Sequence, residues 1–142
     1  MTIRKAEAHW EGDLMSGKGR VKTESGALDA PYSFKTRMEN EKGTNPEELI
    51  GAAHAGCFTM ALCARLTQAG MKPTRIDTTA DVQFDKVEGG FTISAIRLRT
   101  RATIPGVDAA AFKSHADEAK RTCPVSKALA GTKIELDAAL EG

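Results

Sequence analysis

Hydrophobic and polar positions alternate with a period of two along much of this chain and switch to helical spacing in three places. Ile76, Thr78, Ala80, Val82 and Phe84 alternate with Asp77, Thr79, Asp81, Gln83 and Asp85, which predicts a half-buried strand. A second strand follows the turn Glu88-Gly89-Gly90. In it Phe91, Ile93 and Ala95 keep one phase, and Ile96, Leu98, Thr100, Ala102 and Ile104 take the other. The slip of one residue at Ala95-Ile96 predicts a β-bulge. Past it, Arg97, Arg99 and Arg101 share a face opposite Asp81, Thr79 and Asp77, which reads as a solvated, charge-paired sheet surface. Shorter strands are predicted over residues 3–10, 18–24 and 31–37, and a closing strand over 134–140.

The longest helical pattern begins after the third strand. Asn45 suits an N-cap, Pro46 the first helical position and Glu48 the acid of a capping box. Gly70 followed by Lys72-Pro73 ends it. The predicted helix has roughly 24 residues and a length of about 36 Å. Gly51, Ala52, Ala53, Ala55 and Gly56 make its first half small, which predicts another backbone pressed against it. Asp108 caps a second helix through Arg121, with Phe112, His115 and Ala119 on one side. Cys123-Pro124 interrupts that helix, because a residue before proline is driven out of the helical region. Pro124 then starts a short helix through Leu129 with Cys123 at its N-cap, and Gly131 ends it. The expected architecture is α+β, with antiparallel sheet strands from both ends of the chain packed around a long central helix.

Composition narrows the function classes. A chain of 142 residues is expected to be one domain, 1–142, with a single apolar core. Net charge is +1 and the basic residues are dispersed, which argues against general affinity for nucleic acid or anionic membrane. No apolar run is read as approaching membrane-spanning length, and the start Met1-Thr2-Ile3-Arg4-Lys5 leads into no apolar segment, so a soluble, cytoplasmic protein is expected. Gly12-Asp13-Leu14-Met15-Ser16-Gly17-Lys18-Gly19 is near a phosphate-binding loop. It lacks the final Ser or Thr and runs into a strand rather than a helix, so it is set aside.

Three cysteines, odd in number and widely spaced, argue against a disulfide framework and leave reactive, metal-binding or inert thiols. Cys123, at a helix start, is expected to have a stabilised thiolate and a sulfur near the surface. Cys57 lies mid-helix and needs an outside cation to ionise. Cys63 lies about 120° around the helix from Cys57 and reads as structural. His54 shares a face with Cys57, and with Cys123 or Cys63 the spacing allows a zinc site, although no Cys-x-x-Cys element accompanies it. Otherwise His54 is a helix-packing residue.

Thr44-Asn45-Pro46-Glu47-Glu48-Leu49 through Ala53-His54-Ala55-Gly56-Cys57-Phe58, with Cys123-Pro124-Val125-Ser126 later, resembles the OsmC/Ohr family of thiol-dependent peroxidases. The likeness extends over essentially the whole chain, including His9-Trp10-Glu11-Gly12 and Ile76 to Asp81, and is nearer the osmotically inducible OsmC branch than the organic hydroperoxide resistance branch. It implies the OsmC-like fold, an intertwined homodimer, and a two-cysteine peroxidase that needs no metal, haem or flavin. Cys57 is then the peroxidatic residue and Cys123 the resolving one. The family's glutamate maps to Glu47 and its arginine to Arg37, with Arg20 nearer the position used in the other branch. Organic hydroperoxides are the implied substrates, in an apolar surround of Leu49, Ile50, Phe58 and Met60, and a dithiol such as a lipoylated protein is the implied reductant. Two other readings stand beside this one: a non-enzymatic stress-response binding module, and a zinc-binding domain using His54, Cys57 and Cys123. Glu47 and Cys57 lie about 15 Å apart along a straight helix, beyond the span of one guanidinium. Either the helix breaks near Gly51, or Glu47 of one subunit serves Cys57 of the other.

Overall fold

Strand register converts the alternation in the sequence into two separate sheets. The computed structural model describes residues 1–141, and these form two compact units, Met1–Leu49 and the chain from Ile50 onward. In the first unit, β1 (Ala6–Glu11), β2 (Lys18–Thr23) and β3 (Asp29–Tyr32) form an antiparallel sheet in the order β1-β2-β3. Gly19 of β2 makes room for the rings of Trp10 and Tyr32, which meet edge to face with centroids 5.4 Å apart. A Cβ on Gly19 would lie 2.7 Å from the Tyr32 ring and 2.8 Å from that of Trp10.

The strand expected over residues 31–37 stops at Tyr32, and Phe34–Met38 forms a short helix, α1. A capping box that the alternation concealed is responsible. The Thr36 amide donates to Ser33 Oγ at 3.2 Å, and the Ser33 amide donates to Thr36 Oγ1 at 2.8 Å.

The long helix α2 spans Pro46–Gln68. Asn45 caps it, accepting from the Glu48 amide at 2.8 Å. The Glu48 carboxylate turns instead to the Thr44 hydroxyl, also at 2.8 Å. The second unit continues with β4 (Arg75–Val87), β5 (Gly90–Thr103), α3 (Ala109–Thr122), α4 (Pro124–Ala128) and β6 (Lys133–Leu140), its strands ordered β4-β5-β6. Arg97, Arg99 and Arg101 face Asp81, Thr79 and Asp77 as expected. The bulge is present but earlier. Gln83 pairs with Ala95 and Phe84 with Ile93, so Ser94 is the extra residue, and its hydroxyl donates to Asp85.

Two sheet expectations are corrected. β6 pairs with β5 in parallel, since α3 and α4 form a crossover that returns the chain to the same end of the sheet. The strands from the two ends of the chain therefore lie in different sheets. The arginine stripe also finds its carboxylates on β6, not β4. Arg97 Nε lies 3.0 Å from Glu135 and Arg101 Nη2 lies 3.1 Å from Asp137, while Asp77 is held by Arg75.

His54, Phe58, Leu62 and Leu66 recur every four residues and are buried along one face of α2. Phe58, Leu62 and Leu66 pack with Ile96, Leu98 and Ala102 of β5 and with Phe112, Ala116 and Ala119 of α3. At Gly51 the helix meets β4 closely, where a Cβ would lie 3.2 Å from Val82 Cγ2. Ala52, Ala53, Gly56 and Met60 are exposed, and a Cβ on Gly56 would touch nothing. By length and composition α2 is apolar enough to cross a membrane, contrary to the sequence expectation, but its buried stripe belongs to the core of this unit. Leu62→Ala is expected to destabilise the fold by about 2–5 kcal/mol through the cavity it leaves, with urea unfolding monitored by circular dichroism as the check.

Candidate active site

Two local constructions carry the chemistry-bearing side chains. In the second unit, Cys123 is both the C-cap of α3 and the N-cap of α4. Its amide donates to Ala119 O at 2.9 Å, and its carbonyl accepts from the Lys127 amide at 3.1 Å. Its extended backbone, φ −57° and ψ 129°, is the conformation that the following proline demands. Its sulfur takes the place of a capping oxygen, accepting from the Ser126 amide at 3.4 Å and the Ser126 hydroxyl at 3.5 Å. Cys57 reaches it from α2, and the two sulfurs lie 3.0 Å apart with both cysteines free. A disulfide bond is about 2.05 Å long, so closure needs a movement of roughly one ångström.

Exposure separates the two thiols and corrects the sequence reading. Cys123 was expected near the surface, yet it is fully buried, while Cys57 is only half-buried. A small molecule arriving from solvent therefore meets Cys57. Burial, followed by the hydrogen bond with Cys123, pushes the Cys57 thiol above its ordinary range. Burial also opposes ionisation of Cys123. Contacts from Cys57, from the Ser126 hydroxyl and amide, and from the Val125 amide outweigh it and draw that thiol below its ordinary value.

His54 does not join the cysteines as a ligand. Its Nε2 lies 2.7 Å from Ser126 Oγ, its Nδ1 is buried without a hydrogen-bond partner, and burial holds the ring below its ordinary pKa. Among the described residues no group of three or more His, Cys, Asp or Glu side chains could hold a metal ion. Cys63 is exposed and stands 3.9 Å from Thr67 Oγ1.

The first unit holds the second construction. Arg37 on α1 grips Glu47 in the first turn of α2 by a parallel pair of bonds, Nε to Oε1 and Nη2 to Oε2, each 2.9 Å. Such charge-assisted pairs are roughly twice as strong as neutral hydrogen bonds. The hydrogen bond to Glu47 raises the guanidinium pKa against the opposing effect of burial, which keeps it charged. The two helix starts are tied together around this pair. Asn45 Nδ2 donates to Thr36 O at 3.2 Å, and the Thr44 amide donates to Pro31 O at 2.9 Å. Gly43, at φ +153°, makes the approach possible, because a Cβ there would lie 2.7 Å from Thr36 Cγ2 and 2.8 Å from Pro31 O. Arg20, the alternative arginine, instead bonds Asp29 at 2.8 Å.

The structure thus joins Cys57 with Cys123 and Arg37 with Glu47. Sequence reading missed Ser126, although its place three residues after an N-cap cysteine is where the capping amide must come from. Phe58, expected to line the site, is a fully buried member of the core, whereas Met60 is exposed.

A family model described as OsmC-like protein matches residues 39–137. The chain is 58% identical over 139 residues to Peroxiredoxin OsmC of Escherichia coli (strain K12), covering 96% of each chain. It is 33% identical over 117 residues to an Organic hydroperoxide resistance protein of Xanthomonas axonopodis pv. citri (strain 306), covering 80% of each. Among solved structures, an organic hydroperoxide resistance protein from Elizabethkingia anophelis is similar with a TM-score of 0.76 at 26% identity, over 99% of each chain.

Mild oxidation with diamide is expected to link Cys57 to Cys123 and leave Cys63 open to alkylation. Peptide mapping checks this, and a Cys63-containing disulfide within one chain would contradict the geometry.

Proposed function

The chain belongs to the OsmC family, and on that premise we propose that it reduces hydroperoxides by a cycle of Cys57 and Cys123. The 3.0 Å separation of the two sulfurs is the observation that carries this reading. The Cys57 thiolate attacks the O–O bond of the peroxide. A sulfur–oxygen bond forms, the O–O bond breaks, sulfur is oxidised to sulfenic acid, and the leaving alkoxide takes up the proton that Cys57 had released and departs as an alcohol. Cys123 then attacks the Cys57 sulfur, and the sulfenic oxygen departs as water with the proton that Cys123 gives up. Because Cys57 is the more exposed sulfur, an external dithiol attacks there, displaces Cys123 as a thiolate, and closes its own disulfide to restore both thiols. A reduced lipoylated protein is the reductant we infer from the family. Three free cysteines suit a reducing compartment, and we place the protein in the cytoplasm.

Cys57 needs a cation, because its own surroundings hold the proton on sulfur. We assign that role to Arg37, with Glu47 fixing the guanidinium. This is supported by the paired bonds between them and by the engagement of Arg20 elsewhere. α2 is helical through Gly51, which supports a site shared between subunits over a break there. It favours a homodimer in which Arg37 and Glu47 of one subunit serve Cys57 of the other, and the exposed Ala52, Ala53, Gly56 and Met60 offer a small-residue face for the partner.

Cys57→Ser is expected to abolish peroxide reduction. Cys123→Ser is expected to complete one turnover and then accumulate oxygens on Cys57, as read by intact mass. In the same assays cumene hydroperoxide should outpace hydrogen peroxide, since each CH₂ removed from water is worth about 0.8 kcal/mol. Multiple turnover by Cys57→Ser with dithiol present would sink the assignment, and equal rates for the two peroxides would remove the preference alone. Subunit mixing tests the shared site. When inactive Cys57→Ser and weakly active Glu47→Ala exchange chains, mixed dimers should regain one complete site. No gain after exchange is confirmed by mass would place both groups within one chain.

A further inference from the structure

His54 is fully buried, neutral, and unused by the cycle described above, yet it is in direct contact with the residue that caps Cys123. We propose that His54, acting through Ser126, is a positioning residue that keeps the Ser126 hydroxyl proton on Cys123 and so readies Cys123 for disulfide closure. The inference rests on the two-cysteine cycle and deepens it.

The argument turns on one proton with two possible destinations. Ser126 Oγ stands 2.7 Å from His54 Nε2 and 3.5 Å from Cys123 Sγ, and its single hydrogen can serve only one of them. If Nε2 carries the ring proton, His54 donates to Ser126 and the hydroxyl must turn to the sulfur. In the other tautomer the hydroxyl turns to the ring, and Nδ1–H is left buried without a partner. Orphaned buried N–H donors are rarer than under-satisfied acceptors, so the first tautomer is favoured. A doubly protonated ring would bury a charge, which desolvation resists. The site therefore lines up His54 Nε2–H and Ser126 O–H as successive donors ending on the Cys123 sulfur, with Cys57 beyond it. Besides Cys123 itself, Cys57 and His54 are the titratable groups in this row.

Closure requires Cys123 to lose its proton as the S–S bond forms and water leaves. Reduction requires Cys123 to leave as a thiolate, and a leaving thiol of lower pKa leaves faster. One arrangement therefore serves both halves of the cycle, while the attack of Cys57 on peroxide feels it only through the contact between the two sulfurs.

The test separates the steps in a rapid-mixing experiment with one equivalent of cumene hydroperoxide. Peroxide loss reads the first step. Loss of the second thiol and of one water by mass reads closure. Ser126→Ala and His54→Leu are expected to slow closure by about tenfold, the size of one hydrogen bond to an ionised group. They should move its pH midpoint upward and change the peroxide step less than closure, whereas His54→Gln, which keeps an N–H near Ser126, should recover most of the rate. Ser126→Ala deletes a single oxygen and keeps the test open if His54→Leu does not fold. Ultraviolet titration of the Cys123 thiolate in a Cys57→Ser, Cys63→Ser background reads the same midpoint without turnover. If wild type closes a disulfide and Ser126→Ala closes it at the same rate and midpoint, this inference alone fails. If wild type closes none, the two-cysteine reading fails and takes this inference with it.

Discussion

A cysteine that cannot be helical because proline follows it is the constraint on which the chemistry of the second unit depends. Pro124 ends α3 at Cys123 and starts α4 one residue later, so the side chain at the junction faces the unpaired amides of a new helix. A serine or aspartate would commonly fill that place. A thiol there receives the same N–H groups and gains acidity from them. The break also fixes direction, because α4 carries Ser126 back towards His54 on α2.

The first unit uses the same physics for a different product. Two helix starts, one capped by Ser33 and one by Asn45, are fastened together so that a guanidinium and a carboxylate meet in a planar fork. Neither helix start is catalytic by itself. Each takes conformational freedom from a side chain that would otherwise sample many rotamers, and an arginine held this way loses less entropy when it engages an anion.

The sequence made some of this legible and hid the rest. Alternation in residues 76–85 and the Asn45-Pro46 and Asp108 caps were read correctly, because each is a local rule acting over a few residues. Where two local rules competed, the reading failed. Residues 31–37 alternate like a strand, but the reciprocal bonds of Ser33 and Thr36 close a helical turn. Non-local facts were out of reach. The parallel pairing of β6 with β5, and hence the carboxylates that meet Arg97 and Arg101, follows from how far the α3 crossover carries the chain. The motifs named Cys57, Cys123, Arg37 and Glu47, and the fold pairs them two by two. The burial of Cys123 and the part of Ser126 depend on which way α4 faces.

The parallel β5–β6 pairing also sets an order of events during synthesis. An antiparallel hairpin can close as soon as its second strand exists, whereas a parallel pair waits for the whole crossover between its strands. α2, with Cys57, leaves the ribosome long before α3, α4 and β6, so for a time the nascent chain carries one thiol without the other. The two can meet only once the α3–α4 junction has been made, across a sequence separation of 66 residues. The proposed two-cysteine cycle therefore depends on a fold that has brought both thiols together. An unfinished or locally opened chain exposes Cys57 to oxidant with nothing beside it to stop the reaction at sulfenic acid.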